Sequence, residues 1–96
     1  MFGERRVRRR MSSVYKISFP KTFKVVINIA GLNFELESLV ETKRDGRWIV
    51  AEFTPEILAK LSVFDNCKVI VEKYKGVRRE YDCREFVEFV KILGED

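Results

Sequence analysis

The sequence has no histidine and no glutamine, and only two cysteines, two prolines, two methionines and one tryptophan among its 96 residues. Without histidine the chain lacks the side chain most used for general base work near neutral pH, and with it any Ser-His or Cys-His nucleophile pair. Two cysteines alone cannot supply the four ligands of a structural zinc within one chain. The five glycines, Gly3, Gly31, Gly46, Gly76 and Gly94, lie far apart, so no Gly-rich loop cradles a phosphate and P-loop or Rossmann nucleotide binding is excluded. No stretch approaches the roughly 18 uninterrupted apolar residues of a membrane span. The segment from Met11 to Phe19 is broken by Ser12, Ser13, Lys16 and Ser18, which is not the pattern of a secretory signal. These absences predict a soluble, cytoplasmic, non-enzymatic protein with no cofactor, no metal and no small-molecule substrate.

Carboxylate-only metal nucleases escape the histidine argument. Glu41-Thr42-Lys43 has an E-x-K spacing that places both side chains on one face of a strand, as two-metal nucleases require. No aspartate precedes Asp45, so Glu35 or Glu37 would have to take the upstream position, and the set Asp65, Glu72 and Lys75 has the residue types at the wrong spacing. The pattern is read as the solvated face of a half-exposed sheet.

Charge is what the chain has in abundance. Charged residues make up 35% of it, above the usual quarter, and with three asparagines and no glutamine the composition resembles that of hyperthermophile proteins. The net charge of +4 is carried entirely by the first twelve residues, where Arg5, Arg6, Arg8, Arg9 and Arg10 accompany Glu4. The remainder holds fourteen residues of each sign. The division is therefore a basic N-terminal arm, residues 1–12, and a globular domain, residues 13–96. Met11, directly before Ser12-Ser13, offers an alternative start, in which case the arm is not native.

Alternation of apolar and polar residues marks strands at Val14–Phe19, Phe23–Ile29, Leu32–Leu36, Leu39–Lys43, Arg47–Phe53, Cys67–Tyr74 and Val77–Asp82. Asp45-Gly46 predicts a two-residue type I′ turn. Thr54-Pro55-Glu56 announces a helix through an N-cap, a proline at N1 and an acid in the first turn, with Ile57, Leu58 and Leu61 on its buried face. Asp82 caps a second helix with Glu85 three residues on. Phe86, Phe89, Val90 and Leu93 recur there at helical spacing, and Gly94 stands at the C′ position. The fold class predicted is α+β: an antiparallel sheet of about six strands built from hairpins, in the order β-β-β-β-α-β-β-α, with both helices packed on one face.

Two registers are open to the last hairpin. A three-residue loop, Tyr74-Lys75-Gly76, places Cys67 opposite Cys83; a two-residue turn at Lys75-Gly76 makes the two thiols diagonal neighbours. Either brings them close, so Cys67 and Cys83 are a candidate disulfide, the alternative being two small hydrophobes at element ends.

Arginine binds phosphate bidentately and keeps its charge, so five within six positions suit a polyanion better than they suit folding. The hairpin tips add Lys43, Arg44 and Arg47 at one and Lys73, Lys75, Arg78 and Arg79 at the other. Trp48, Tyr74 and Tyr81 lie near these tips, where rings can stack on bases, but are read as core residues. The functional expectation is a nucleic-acid-binding protein, DNA or RNA, that makes salt-dependent and weakly sequence-specific phosphate contacts through Arg5, Arg6, Arg8, Arg9 and Arg10, with the tips secondary. The alternative is an interaction or assembly module, a homodimer or a subunit of a larger particle, for which Phe86 and Phe89 would face a partner.

Overall fold

Among the described residues alternating side chains build seven short strands, and two helices follow the capping signals. The computed structural model describes residues 14–73 and 76–94. In chain order the elements are β1 (Tyr15–Pro20), β2 (Lys24–Ile29), β3 (Leu32–Glu35), a 3₁₀ turn at Leu36–Ser38, β4 (Glu41–Asp45), β5 (Trp48–Phe53), α1 (Pro55–Val63), β6 (Cys67–Glu72), β7 (Arg78–Asp82) and α2 (Cys83–Leu93). The class is α+β with antiparallel pairing throughout, as the sequence predicts. The strand count and the layering differ from that prediction. Each of the seven alternating segments is a strand and five of them precede α1, one more than the order β-β-β-β-α-β-β-α counts; the seven divide into a three-stranded sheet β1-β5-β4 and a four-stranded sheet β3-β2-β6-β7 among the described residues.

The division originates at Pro20. A hairpin there would pair β1 with β2. Instead Phe23 N–H closes a tight turn on Pro20 C=O at 3.0 Å, and Lys21 N–H donates to Arg47 C=O at 3.0 Å. β1 is thereby held against β5 (Tyr15↔Phe53 through Pro20↔Trp48), while β2 leaves the turn to pair with β6 (Lys24↔Glu72 through Ile29↔Cys67). Period-2 alternation then fixes the inner faces. Ile17, Phe19, Ala51 and Phe53 face inward from one sheet, and Val25, Ile27, Val69 and Val71 from the other. Both contribute to one core, completed by Leu58 and Leu61 of α1 and by Cys83, Val87 and Val90 of α2. No polar or charged side chain is buried among the described residues.

The helices do not lie side by side on one sheet. α2 packs on β1 of one sheet, on β6 and β7 of the other, and on α1, so it bridges the two sheets. Its deepest residues are Cys83, Val87 and Val90, spaced i, i+4, i+7, while Phe89, Ile92 and Leu93 remain exposed. Thr54 Oγ1 accepts from Ile57 N–H at 3.2 Å at the start of α1. Asp82 caps α2 by accepting from Arg84 N–H at 3.0 Å. Gly94 has a negative φ and is no left-handed C′ residue. It is required for room: a Cβ would lie 2.8 Å from Val90 O and 2.9 Å from Lys16 N, where the end of α2 meets β1.

Two hairpins refine the sequence reading. Asp45 pairs with Trp48, so the loop is Gly46-Arg47 rather than Asp45-Gly46, with Gly46 at φ 63° and Arg47 outside the left-handed region, the sign pattern of type II′. This register keeps Arg44 opposite Ile49 and away from Arg47, which the I′ register would place opposite it at the cost of like-charge repulsion. The β6–β7 hairpin has the three-residue loop, with Lys73 N–H donating to Val77 C=O and Gly76 at φ 78°. Cys67 and Cys83 consequently stand opposite each other and form a disulfide, with Cα atoms 5.3 Å apart and both residues buried. Among the described residues no helix is long and apolar enough to cross a membrane.

Candidate nucleic-acid interface

The predicted site residues fall into two groups. Arg5, Arg6, Arg8, Arg9 and Arg10, and with them Lys75, lie outside the described residues. The remaining cations sit where two hairpins end. Lys43, Arg44 and Arg47 belong to the β4–β5 tip, and Lys73, Arg78 and Arg79 to the β6–β7 tip. The two tips belong to different sheets, yet both finish at the Pro20–Phe23 turn: Arg47 is hydrogen-bonded to Lys21, and Glu72, one residue before Lys73, pairs with Lys24. One end of the molecule therefore gathers both tips around Lys21 and Lys24.

Register separates these cations by face. Lys43 stands on the outer face of its sheet, where its Nζ is 3.4 Å from Glu52 Oε2. Arg44 shares the inner face with Thr42 and lines a cavity of about 220 Å³ with Lys21, Lys24, Glu35 and Glu37. Arg78 and Glu80 share the outer face of the other sheet, with guanidinium and carboxylate 3.5 Å apart. Arg79 and Tyr81 share its inner face, opposite Val71 and Val69. Surface ion pairs of this kind are worth about 0–1 kcal/mol, so Lys43 and Arg78 can exchange a carboxylate for a phosphate at little cost. The end is cation-rich but not purely cationic, since Glu35, Glu37, Asp45, Glu72 and Glu80 lie within it.

Sequence reasoning missed Lys21 and Lys24, whose only local signal is a strand break at Pro20-Lys21. It also misplaced Trp48. The ring is 50% exposed at the start of β5, between Pro20 on one side and Asp45 on the other, and does not enter the core. Tyr81 is half-buried, edge-on to Phe89 with ring centres 5.9 Å apart, and Tyr74 lies outside the described residues. Glu41 and Lys43 do share a face. No group of three or more Asp, Glu, Cys or His able to hold a metal forms among the described residues.

Lys73 differs from its neighbours. Its Nζ is 5.8 Å from the centre of the Phe23 ring, and the side chain lines a second, larger cavity of about 380 Å³ between the two sheets and α2. Comparison with protein-family models, curated proteins and solved structures finds no match to this chain.

Proposed function

We propose that this protein binds nucleic acid through the phosphate backbone, using the arm residues Arg5, Arg6, Arg8, Arg9 and Arg10 together with the end formed by the two hairpin tips. The observation that supports this reading best is the meeting of the two hairpin tips at a single turn that carries Lys21 and beside which Lys24 begins β2: Arg44, Arg47 and Arg79 gather there, with Lys43 and Arg78 on the outer faces of the two sheets beside Glu52 and Glu80. Cations on two separate sheets would otherwise be ordinary solubilising residues. Trp48, exposed at the same end, supplies a surface on which an unpaired base can stack. Such binding is strongly salt-dependent and only weakly selective for sequence, because phosphate contacts fix position and carry no base information.

The test is fluorescence anisotropy with duplex DNA and single-stranded RNA between about 50 and 200 mM salt. The full chain is compared with one beginning at Met11 and with the variant Arg44→Gln/Arg47→Gln/Arg78→Gln/Arg79→Gln. If each arm arginine meets one phosphate, removing the arm flattens the duplex log–log salt slope by about 4.5, and the fourfold change flattens it by about 3.6. Equal and negligible binding by all three proteins defeats the proposal. The rival reading, an assembly module, draws on the exposed Phe89, Ile92 and Leu93 of α2; a salt-insensitive dimer on gel filtration would favour it.

A further inference from the structure

We infer that the cleft between the two sheets and α2 is a binding site for an amphiphile with an anionic head and an unbranched apolar chain, such as a medium-chain carboxylate. The cleft encloses about 380 Å³, within the range of about 300–1,000 Å³ of small-molecule sites. Its walls are apolar side chains from all three layers: Ile17 and Phe53 from one sheet, Val71 from the other, and Phe86, Phe89 and Leu93 from α2. Phe89 and Leu93 are 49% and 69% exposed, so the wall formed by α2 is open to solvent and provides an entrance.

The choice of head group follows from charge. Among the described residues Lys73 is the one charged residue of the lining, and Tyr81 adds the one hydroxyl. Lys73 is half-buried, and its Nζ stands 5.8 Å from the centre of the Phe23 ring, which also lines the cleft. Arg79 stands on the same inner face, opposite Val71 and two positions from Tyr81. Among the described residues no carboxylate lines the cleft. A ligand that fills it must be apolar along its length, and the fixed charge that these residues present to it is positive.

The full chain is titrated with octanoate, decanoate and dodecanoate below their micelle concentrations, and with dodecyltrimethylammonium as the opposite head on the same tail. Binding is read by calorimetry and by Tyr81 and Phe89 ring shifts in NMR. One-to-one saturation is expected, with affinity rising about fifteenfold for each two methylenes until the cleft is full. Lys73→Met should weaken dodecanoate by about tenfold or more without changing the melting temperature, and Lys73→Glu should reverse the preference between the two heads. Leu93→Glu, at the exposed entrance, provides the same reversal from the opposite wall and does not touch the core. No saturable binding, equal affinity for both heads in every protein, or a dimer that covers Phe89 and Leu93 and excludes dodecanoate would each overturn the inference. Lys73 belongs both to this cleft and to the β6–β7 tip, so Leu93→Glu, which alters no cation, separates failure of this inference from failure of the nucleic-acid reading.

Discussion

Breaking the Cys67–Cys83 bond tests how much of this small fold depends on one cross-link. The bond joins residues 16 apart, and the chain-entropy relation for a loop of that length gives about 3 kcal/mol of stabilisation, acting on the unfolded chain. The folded side changes less, because the hairpin keeps its ladder from Lys68↔Asp82 to Glu72↔Arg78 and the two reduced side chains need only move apart to a non-bonded separation. For a domain of this size the loss corresponds to a fall in melting temperature of about 12–24 °C. The assay is urea unfolding followed by far-UV circular dichroism, with and without a reductant, and repeated on Cys67→Ala/Cys83→Ala. The double variant should be less stable than the reduced protein, since it also removes two sulfurs from the core. A second signature separates the mechanism from simple loss of packing: an uncross-linked unfolded chain exposes more surface, so the denaturant m-value should rise on reduction. A stability change below about 1 kcal/mol with an unchanged m-value would refute the reasoning.

Thr54→Ala removes the acceptor for Ile57 N–H at the start of α1 and should cost about 1 kcal/mol in the same unfolding assay, with Thr54→Ser close to neutral. Trp48 is the single tryptophan and half-exposed, so its emission should be that of a solvated indole and be quenched further by single-stranded RNA. Trp48→Ala should weaken single-strand binding by about 1–3 kcal/mol in anisotropy; an emission unaffected by saturating RNA would remove Trp48 from the interface.

Local chemistry made the elements legible and left their assembly obscure. Thr54-Pro55-Glu56 specifies a helix start because the cap, the missing N–H and the acid act within one turn. The same holds for Asp82 at the start of α2. The β4–β5 turn was legible to within one residue: a D-G pair signals reversal, but which residue takes the left-handed position depends on what the strands place opposite each other, here Arg44 against Ile49 instead of Arg47. Gly94 shows a glycine whose reason local pattern misreads: it is the C-cap at negative φ rather than a left-handed C′ residue, and its missing Cβ leaves room for the Lys16 backbone 78 residues earlier in the chain. The partition into two sheets had no local signal at all. It requires β1 to leave its sequence neighbour β2 for β5, a choice made by long-range burial of Ile17, Phe19, Ala51 and Phe53 on a common face.

The candidate interface follows from that partition. Charge at hairpin tips can be read from sequence, but a tip has a location only when its strands have partners. Because β1 runs beside β5 and β2 beside β6, the Pro20–Phe23 turn is the point at which both sheets end, and every strand pair that meets it brings a hairpin tip along. Had β1 paired with β2 as a hairpin, β5 would have lost the partner that holds Arg47 beside Lys21, and the two tips would have had no common turn to meet at. The exposed position of Trp48 has the same origin. Its partner across the sheet is Pro20, one position beyond the inward-facing pair Phe19↔Ile49, so strand alternation turns the ring to the outer face of this sheet, away from the core. Arg44 and Lys43, adjacent in sequence, end on opposite faces of one sheet, one lining a cavity beside Lys21 and Lys24 and the other against Glu52 on the outside. A basic composition is therefore only the raw material of this end; the fold, by turning the chain once at Pro20, decides which cations share a surface and which are neutralised away from it.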